Sequence, residues 1–479
     1  MDKQKTTIQF LMEHADKRPV SFHMPGHKGA SLYRRLGYGE FLDKFMDCDI
    51  TEIPGADNLF QTEGILKRTQ ERYAGLYETD RSYMLINGTS GGIIAAILAS
   101  VPAGGKLLMA RNCHKSVFNA LTLGNIAPVY LYPELIEEYG ILGAVTPQEV
   151  QRAMEEEPQA AAVILPSPNY YGVCSDIRAI AKVVHRHGKI LIVDQAHGAH
   201  LKWLGRGTGP VSAEEAGADI VINSIHKTLA SFTQSAVLNL NSDRVDRYVL
   251  EDKLQAIQST SPSYLLMASL DINADILEQQ GTELMEQWQG NLRYFYEEVK
   301  RIPGIRVIDN LENFDYSKIN IDTGLLGISA SELENLLMER GVFAELTTGN
   351  ILMLMTGIGN QRRDFDTLLH ALRDIREKLG NRERDREPGK PGAAAGGNAG
   401  RAPEKKEIFA IPKAKQRLAL ERSEGKICAS SIIPYPPGIP LICPGEKITA
   451  EDIRYIRSLR AGGEKVIGVN ENGEVTVGA

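Results

Sequence analysis

The stretch DIVINSIHKTLASFTQSAVL, Asp219 to Leu238, opens as a short, continuously apolar run and then turns abruptly polar. A run of that kind, bounded by turn residues, reads as a strand buried on both faces, as in a parallel sheet. Just past its carboxyl end come Ser224, His226 and Lys227, among small and hydroxyl residues. A lysine placed there is either a loop cation at the surface or an amine desolvated in a crevice. In the second case it loses proton affinity and becomes a usable nucleophile, capable of a Schiff base.

Working outward, the same texture recurs. YMLIN, KLLMA, PVYLY, AAVILP and KILIVD, between Tyr83 and Asp194, are further apolar runs, separated by helical spacing in SGGIIAAILASV, PQEVQRAMEEE and DIRAIAKVVHRHG. The last of these ends at Gly188, where a C-cap glycine belongs. Strands alternating with helices predict an α/β fold with a mainly parallel sheet, its connections right-handed and its ligand site at the carboxyl ends of the strands. After residue 270 a long polar helix and shorter strands predict a small α+β domain. Arg382 to Glu407 is rich in Gly, Ala, Pro and charge and reads as a linker. The expected division is an N-terminal segment 1–75, a large domain 76–270, a small domain 271–380, a linker 381–407 and a C-terminal module 408–479.

Composition narrows the chemistry. With 54 Lys+Arg against 61 Asp+Glu in 479 residues, the net charge of −7 offers no global attraction for nucleic acid or an anionic membrane. The five cysteines, Cys48, Cys113, Cys174, Cys428 and Cys443, form no CxxC pair, so neither a structural zinc site nor a disulfide framework is indicated. The first twenty residues lack the apolar core of a secretory signal, and no run approaches the ~20 apolar residues of a membrane span. The expectation is a cytoplasmic protein that handles small molecules, without metal.

Three strand ends carry chemistry. Gly88, Thr89 and Ser90 lead from one strand into a helix, where free N–H groups and the positive helix end suit a phosphate; the same glycines also serve a plain turn. Asp194 closes KILIVD and is followed by Ala196 and His197; it either caps the next turn or holds a cationic group in the crevice. Lys227 follows thirty-odd residues later. A phosphate site, an aspartate and a lysine in that order suit a pyridoxal phosphate enzyme, the lysine binding the cofactor and the aspartate facing its pyridinium nitrogen.

The motifs FHMPGHKG, TEIPGADNL, NGTSGGI, RNCHKS, VDQAHGAHL, SIHKTL and SSIIPYPPGIPLICPGEKIT resemble the Orn/Lys/Arg decarboxylases over nearly the whole chain apart from the linker. The likeness is to short, Gram-positive members without an N-terminal wing domain. It implies a large domain of the pyridoxal-phosphate-dependent transferase-like fold (fold type I, aspartate aminotransferase type). It also implies decarboxylation of arginine, lysine or ornithine to the amine and CO2, and a homodimer or an assembly of dimers. Lys227 would carry pyridoxal phosphate; Asp194 would face the ring nitrogen; Gly88, Thr89, Ser90, Ser224 and His226 would hold the phosphate. His114 would stack on the ring, with helix capping as its plainer role, and Ala196 and His197 would lie beside it. Thr260 or Ser261 would reach a partner subunit's phosphate. Asp57 and Glu446 are candidates for the substrate's distal charge, each otherwise a turn or capping acid. One departure stands out: Gln195 replaces the family's usual glutamate, a change expected to retune site electrostatics or substrate preference. An aminotransferase, a carbon–carbon lyase or a silent binding protein of the same fold would share the cofactor residues.

Overall fold

Seven strands form one sheet in the computed structural model, which describes residues 5–204, 209–384, 406–435, 439–463 and 465–479. They are β1 (Arg81–Leu85), β2 (Lys106–Ala110), β3 (Ala127–Leu131), β4 (Ala160–Pro166), β5 (Ile190–Asp194), β6 (Ile220–Asn223) and β7 (Ala236–Leu240). Their order is β1-β7-β6-β5-β4-β2-β3. From β3 through β6 every neighbour is parallel, and β7 runs antiparallel to both β6 and β1. The apolar runs alone do not reveal that reversal. Its cause is the link from β6, which holds only the one-turn helix Ile225–Thr228 and no crossover helix able to carry the chain back to the start of a parallel strand.

Helices cover both faces, so the strands are apolar throughout. Among them are α1 (Gly88–Ser100), α2 (Lys115–Gly124) and α3 (Ile177–Arg186). Asp176 caps α3 by accepting the Ala179 N–H at 3.0 Å, and Gly188 follows the helix with φ +66°. Gly92 in α1 has a structural reason: a Cβ there would lie 2.5 Å from Leu85 Cδ1 and 3.1 Å from Ile222 Cγ2, so a larger residue would require those side chains to shift.

Helix α4 is the one-turn segment Ile225–Thr228, and α5 runs from Tyr264 to Val299. Ser263 caps α5, which therefore begins before residue 270 and spans the boundary expected there. Its buried face, with Trp288, Leu292 and Phe295, packs into the core shared with the second sheet. That sheet is antiparallel, with β8 (Arg306–Val307), β9 (Lys318–Asp322), β10 (Leu346–Thr348) and β11 (Ile351–Met355) in the order β8-β9-β11-β10. Helix Arg362–Arg384 closes this region; most of the expected linker, 385–405, lies outside the described residues. The C-terminal module pairs Lys415–Ala419 with Glu474–Gly478 and Ile433–Tyr435 with Lys465–Ile467, beside helix Ala450–Ala461. Among the described residues no helix is long and apolar enough to cross a membrane.

Candidate active site

At the carboxyl ends of the parallel strands lies a cleft of about 630 Å3. The start of α1 supplies Gly88, Thr89 and Ser90, and the turns after β2, β5 and β6 supply His114, Ala196, His197, Ser224, His226 and Lys227. Asp194 enters from the last position of β5. The far wall comes from Glu334, Glu345 and Thr347, and Ile433 and Ile467 of the C-terminal module complete it. Residues separated in sequence are thus gathered because the parallel strands all end at one edge of the sheet.

Lys227 sits in α4 immediately past β6, its Nζ 2.9 Å from His197 Nε2. Desolvation by burial lowers its pKa, Asp194 and Glu345 oppose that, and the charge of Lys318 adds to it. Asp194 is 5 % exposed and accepts the Ala196 N–H at 3.1 Å. Burial raises its pKa, with Lys227 acting in the other direction. His197 is held well below the usual histidine range by burial and then by Lys227. Its Nε2 faces Lys227, while the buried Nδ1 has no hydrogen-bond partner among the described residues.

Two of the candidate histidines also serve the scaffold. His114 caps α2 through Nδ1, which accepts the Ser116 N–H at 3.3 Å, and it lines the cleft as well. Burial, followed by the Lys227 charge, lowers its pKa to about 3. His226 donates from Nδ1 to the Ser235 carbonyl at 2.9 Å, and burial lowers its pKa to about 4. Ser224 and Thr89 touch through their hydroxyls at 3.1 Å, tying β6 to the start of α1. Gly88 adopts φ +67°, which an L side chain rarely takes.

The lysine turn is clamped from outside the large sheet. Gly26 N–H donates to the His226 carbonyl at 2.7 Å, and Ile358 N–H to the Thr228 carbonyl at 2.9 Å. A Cβ on Gly26 would lie 2.4 Å from the Thr228 carbonyl carbon, and one on Gly359 would lie 2.2 Å from the His27 carbonyl oxygen. FHMPGHKG and the TGIG loop therefore press backbone to backbone against the turn bearing Lys227.

Some candidates are placed elsewhere. Glu446 is corrected as a substrate acid: it is fully buried, pairs with Arg111 at 3.0 Å and accepts the Cys443 N–H at 2.8 Å. Arg111 also donates to the Pro440 and Leu441 carbonyls, so this pair docks the C-terminal module three residues before His114. Asp57 is likewise corrected, because its carboxylate accepts the N–H groups of Asn58, Glu63, Gly64 and Leu66 at the start of helix Ile65–Tyr77 and does not line the cleft. Thr260 and Ser261 are exposed in the loop before α5 and do not line this chain's cleft. The Gln195 side chain also points away from it. Its Nε2 donates to Glu214 Oε2 at 2.9 Å and Asn223 Oδ1 at 3.0 Å, and its Oε1 accepts the Ala213 N–H at 2.7 Å. Glutamine here satisfies a buried carboxylate behind the sheet, in place of the expected retuning of the cleft.

Sequence reasoning overlooked Glu345 and Glu334, and Tyr170, whose ring lies 4.6 Å from His197. It also overlooked Lys318, fully buried in β9 against Asp315. The available signal was a charged residue interrupting an apolar strand pattern, as in GVFAEL and SKINID.

A mainly parallel sheet covered on both faces, with a lysine and an aspartate on adjacent strand ends facing a helix N-terminus, defines the pyridoxal-phosphate-dependent transferase-like class, fold type I. Residues 7–321 match the Orn/Lys/Arg decarboxylase major domain, and residues 402–474 match the C-terminal domain of the same family. The chain belongs to the Orn/Lys/Arg decarboxylase family and is a carboxy-lyase. It is 31% identical over 469 residues to arginine decarboxylase of Bacillus subtilis, covering 94% of this chain and 93% of that one. It is 25% identical to lysine decarboxylase LdcA of Pseudomonas aeruginosa, covering 92% of this chain and 73% of that one. The solved structure of lysine decarboxylase A from Pseudomonas aeruginosa is similar with a TM-score of 0.76 at 21% identity, covering 98% of this chain and 80% of that one.

Proposed function

We propose that the chain removes the α-carboxylate of arginine, lysine or ornithine as CO2, leaving the corresponding amine, with pyridoxal phosphate bound in the cleft. The observation that carries this reading is the meeting of Lys227, Asp194, His114 and the start of α1 in one cleft whose far wall is acidic. The donor set fits the cofactor. The amino end of α1, with Thr89, Ser90 and Ser224, suits a phosphate; Asp194 suits a protonated ring nitrogen; and His197 Nδ1 is a buried nitrogen awaiting a partner. When bound, pyridoxal phosphate supplies an electron sink for the pair released as the bond from Cα to the carboxylate breaks.

The protein's own groups do the rest. Lys227 Nζ, whose pKa burial lowers, is the nucleophile that would hold the cofactor and a group able to return a proton to Cα. Asp194 would face the ring nitrogen and favour a proton there. His114, which lines the cleft, would lie against the ring and is the second candidate to pass a proton to Cα. Glu345, which accepts the Met24 N–H at 2.9 Å, and Glu334 are the acids that meet the substrate's distal cation. A buried cation without such a partner would be costly. Among the described residues no arginine lines the cleft, which favours loss of the carboxylate over its retention by an aminotransferase-type clamp. Thr260 or Ser261 completes the phosphate site of a partner subunit in a cytoplasmic homodimer.

The test is to incubate the purified protein and pyridoxal phosphate with each of the three amino acids, measuring CO2 and identifying the amine. Arginine comes first, since relatives at 30–32% identity are arginine decarboxylases. A borohydride-fixed chromophore lost in Lys227→Ala supports the reading; CO2 from none of the three refutes the substrate class.

A further inference from the structure

Directly behind Lys227 lies a buried polar cluster that the reaction as described leaves unused. Lys318 Nζ donates to Asp315 Oδ2 at 2.5 Å, to Ser317 Oγ at 3.1 Å and to the His197 carbonyl, so all three ammonium protons have acceptors. Asp315 Oδ1 meets His200 Nε2 at 3.1 Å, and His200 Nδ1 lies 3.1 Å from the Thr228 hydroxyl. Burial keeps His200 below the usual histidine range, so in its neutral form Nε2 donates to Asp315 and Nδ1 accepts from Thr228. Every one of these side chains is buried, and Asp315, Ser317 and Lys318 come from the corner leading into β9, not from the large sheet.

Two arms therefore leave this corner and converge on the reactive lysine. One passes through the His197 carbonyl to the His197 ring, whose Nε2 is 2.9 Å from Lys227 Nζ. The other passes through Asp315 and His200 to Thr228, the residue after Lys227. We propose that Lys318, held by Asp315, is a positioning residue that fixes Lys227 and His197 relative to each other from behind the cleft. A buried ion pair is poor support for stability, since apolar replacements of such pairs are often neutral or stabilising. This one is bonded to the two segments that carry the chemistry, which is the arrangement positioning requires. The charged and titratable groups around Lys227 include Asp194, His197, His114, His226, Glu345 and Lys318. Of these, Lys318 disfavours a proton on both Lys227 and His197.

The proposal rests on Lys227 being the reactive amine, and its test separates the two claims. Cofactor-free, full-length protein is acetylated across a pH series with acetic anhydride, and the labelling of Lys227 is read by peptide mass spectrometry. In Lys318→Met the labelling midpoint should rise by about half a pH unit or more, because a buried cation has left. Should that variant fail to fold, Lys318→Met combined with Asp315→Asn leaves neither charge uncompensated, and a smaller upward displacement is expected because a carboxylate leaves with the cation. In the loaded enzyme kcat should fall about tenfold while KM changes less than about threefold, as for a group acting on alignment more than on binding. A midpoint that stays in place or moves down, or a parental kcat, overturns the proposal. Failure of the parent protein to give a borohydride-fixed chromophore at Lys227 would instead overturn the cofactor reading, while the labelling comparison still decides whether Lys318 governs Lys227.

Discussion

Replacing Gln195 by glutamate, the residue usual in the family, should unfold this particular chain more easily in a pH-dependent way. Gln195 is 1 % exposed and Glu214 4 % exposed, and the amide donates to Glu214 Oε2 at 2.9 Å. The same Nε2 also donates to Asn223 Oδ1 at 3.0 Å. In Gln195→Glu both donor contacts become oxygen facing oxygen, and a second carboxylate is buried within van der Waals reach of the first. Leaving a buried charge uncompensated costs about 3–5 kcal/mol. The introduced carboxyl would escape part of that by keeping its proton, so its folded pKa lies above its unfolded one. The sign follows: the penalty is absent below the unfolded carboxyl value, near 4, and grows by about 1.4 kcal/mol per pH unit up to the raised folded value. Urea unfolding at pH 5 and pH 8 should show a small loss at the first and the larger loss at the second. Adding Glu214→Gln restores one carboxylate and one amide to the site and should recover at least half of the loss at pH 8. Equal stability of Gln195→Glu and parent at pH 8, or no recovery in the double variant, would refute the reasoning.

Gly26→Ala would set a Cβ 2.5 Å from the Leu229 carbonyl oxygen, a backbone atom that cannot swing aside. A loss of about 2–3 kcal/mol is expected from such overpacking, together with weaker borohydride fixation of pyridoxal phosphate; an unchanged melting temperature would count against the clamp. Glu446→Ala strands the Arg111 guanidinium, 2 % exposed, and should cost about 3–5 kcal/mol and speed proteolytic release of the C-terminal module. Parental proteolysis kinetics would contradict that docking role. His226 contributes acid lability: burial lowers its folded pKa to about 4, so below the ordinary value of 6.5 the unfolded chain takes the proton first. Stability is therefore lost as pH falls from 6.5 toward 4, by up to about 3 kcal/mol from this one group. His226→Gln should flatten the difference in urea midpoint between pH 7 and pH 4.5, and an unchanged difference would show that the histidine does not titrate as described.

The large sheet was legible because its strands are buried on both faces and so announce themselves as unbroken apolar runs, each delivering its chemistry at the next residue. Asp194, His197, Ser224 and Lys227 could be found that way without knowing which strand adjoined which. The antiparallel β7 could not, since burial on both faces erases the alternation that would have marked it. The acids were harder still. A carboxylate can cap a helix, pair with a guanidinium or face a ligand, and only distant contacts decide which: Asp57 caps the helix after it, Glu446 meets Arg111 across 335 positions, and Glu345 reaches the cleft.

Lysines pose the same problem more sharply, because burial alone does not make one reactive. Lys202 is nearly buried and pairs with Glu78 at 2.7 Å. Lys28 donates to the carbonyls of His23 and Met355, and Lys318 gives its three protons to Asp315, Ser317 and the His197 carbonyl. An ammonium has three N–H groups to satisfy, and Lys318 meets all three with oxygen acceptors. Lys227 instead has one hydrogen-bonded neighbour, the neutral imidazole of His197, with its only nearby carboxylates shared across the cleft. Its ammonium form is thus left with fewer acceptors, and burial lowers its pKa. That difference in acceptors, more than depth of burial, separates Lys227 from Lys318.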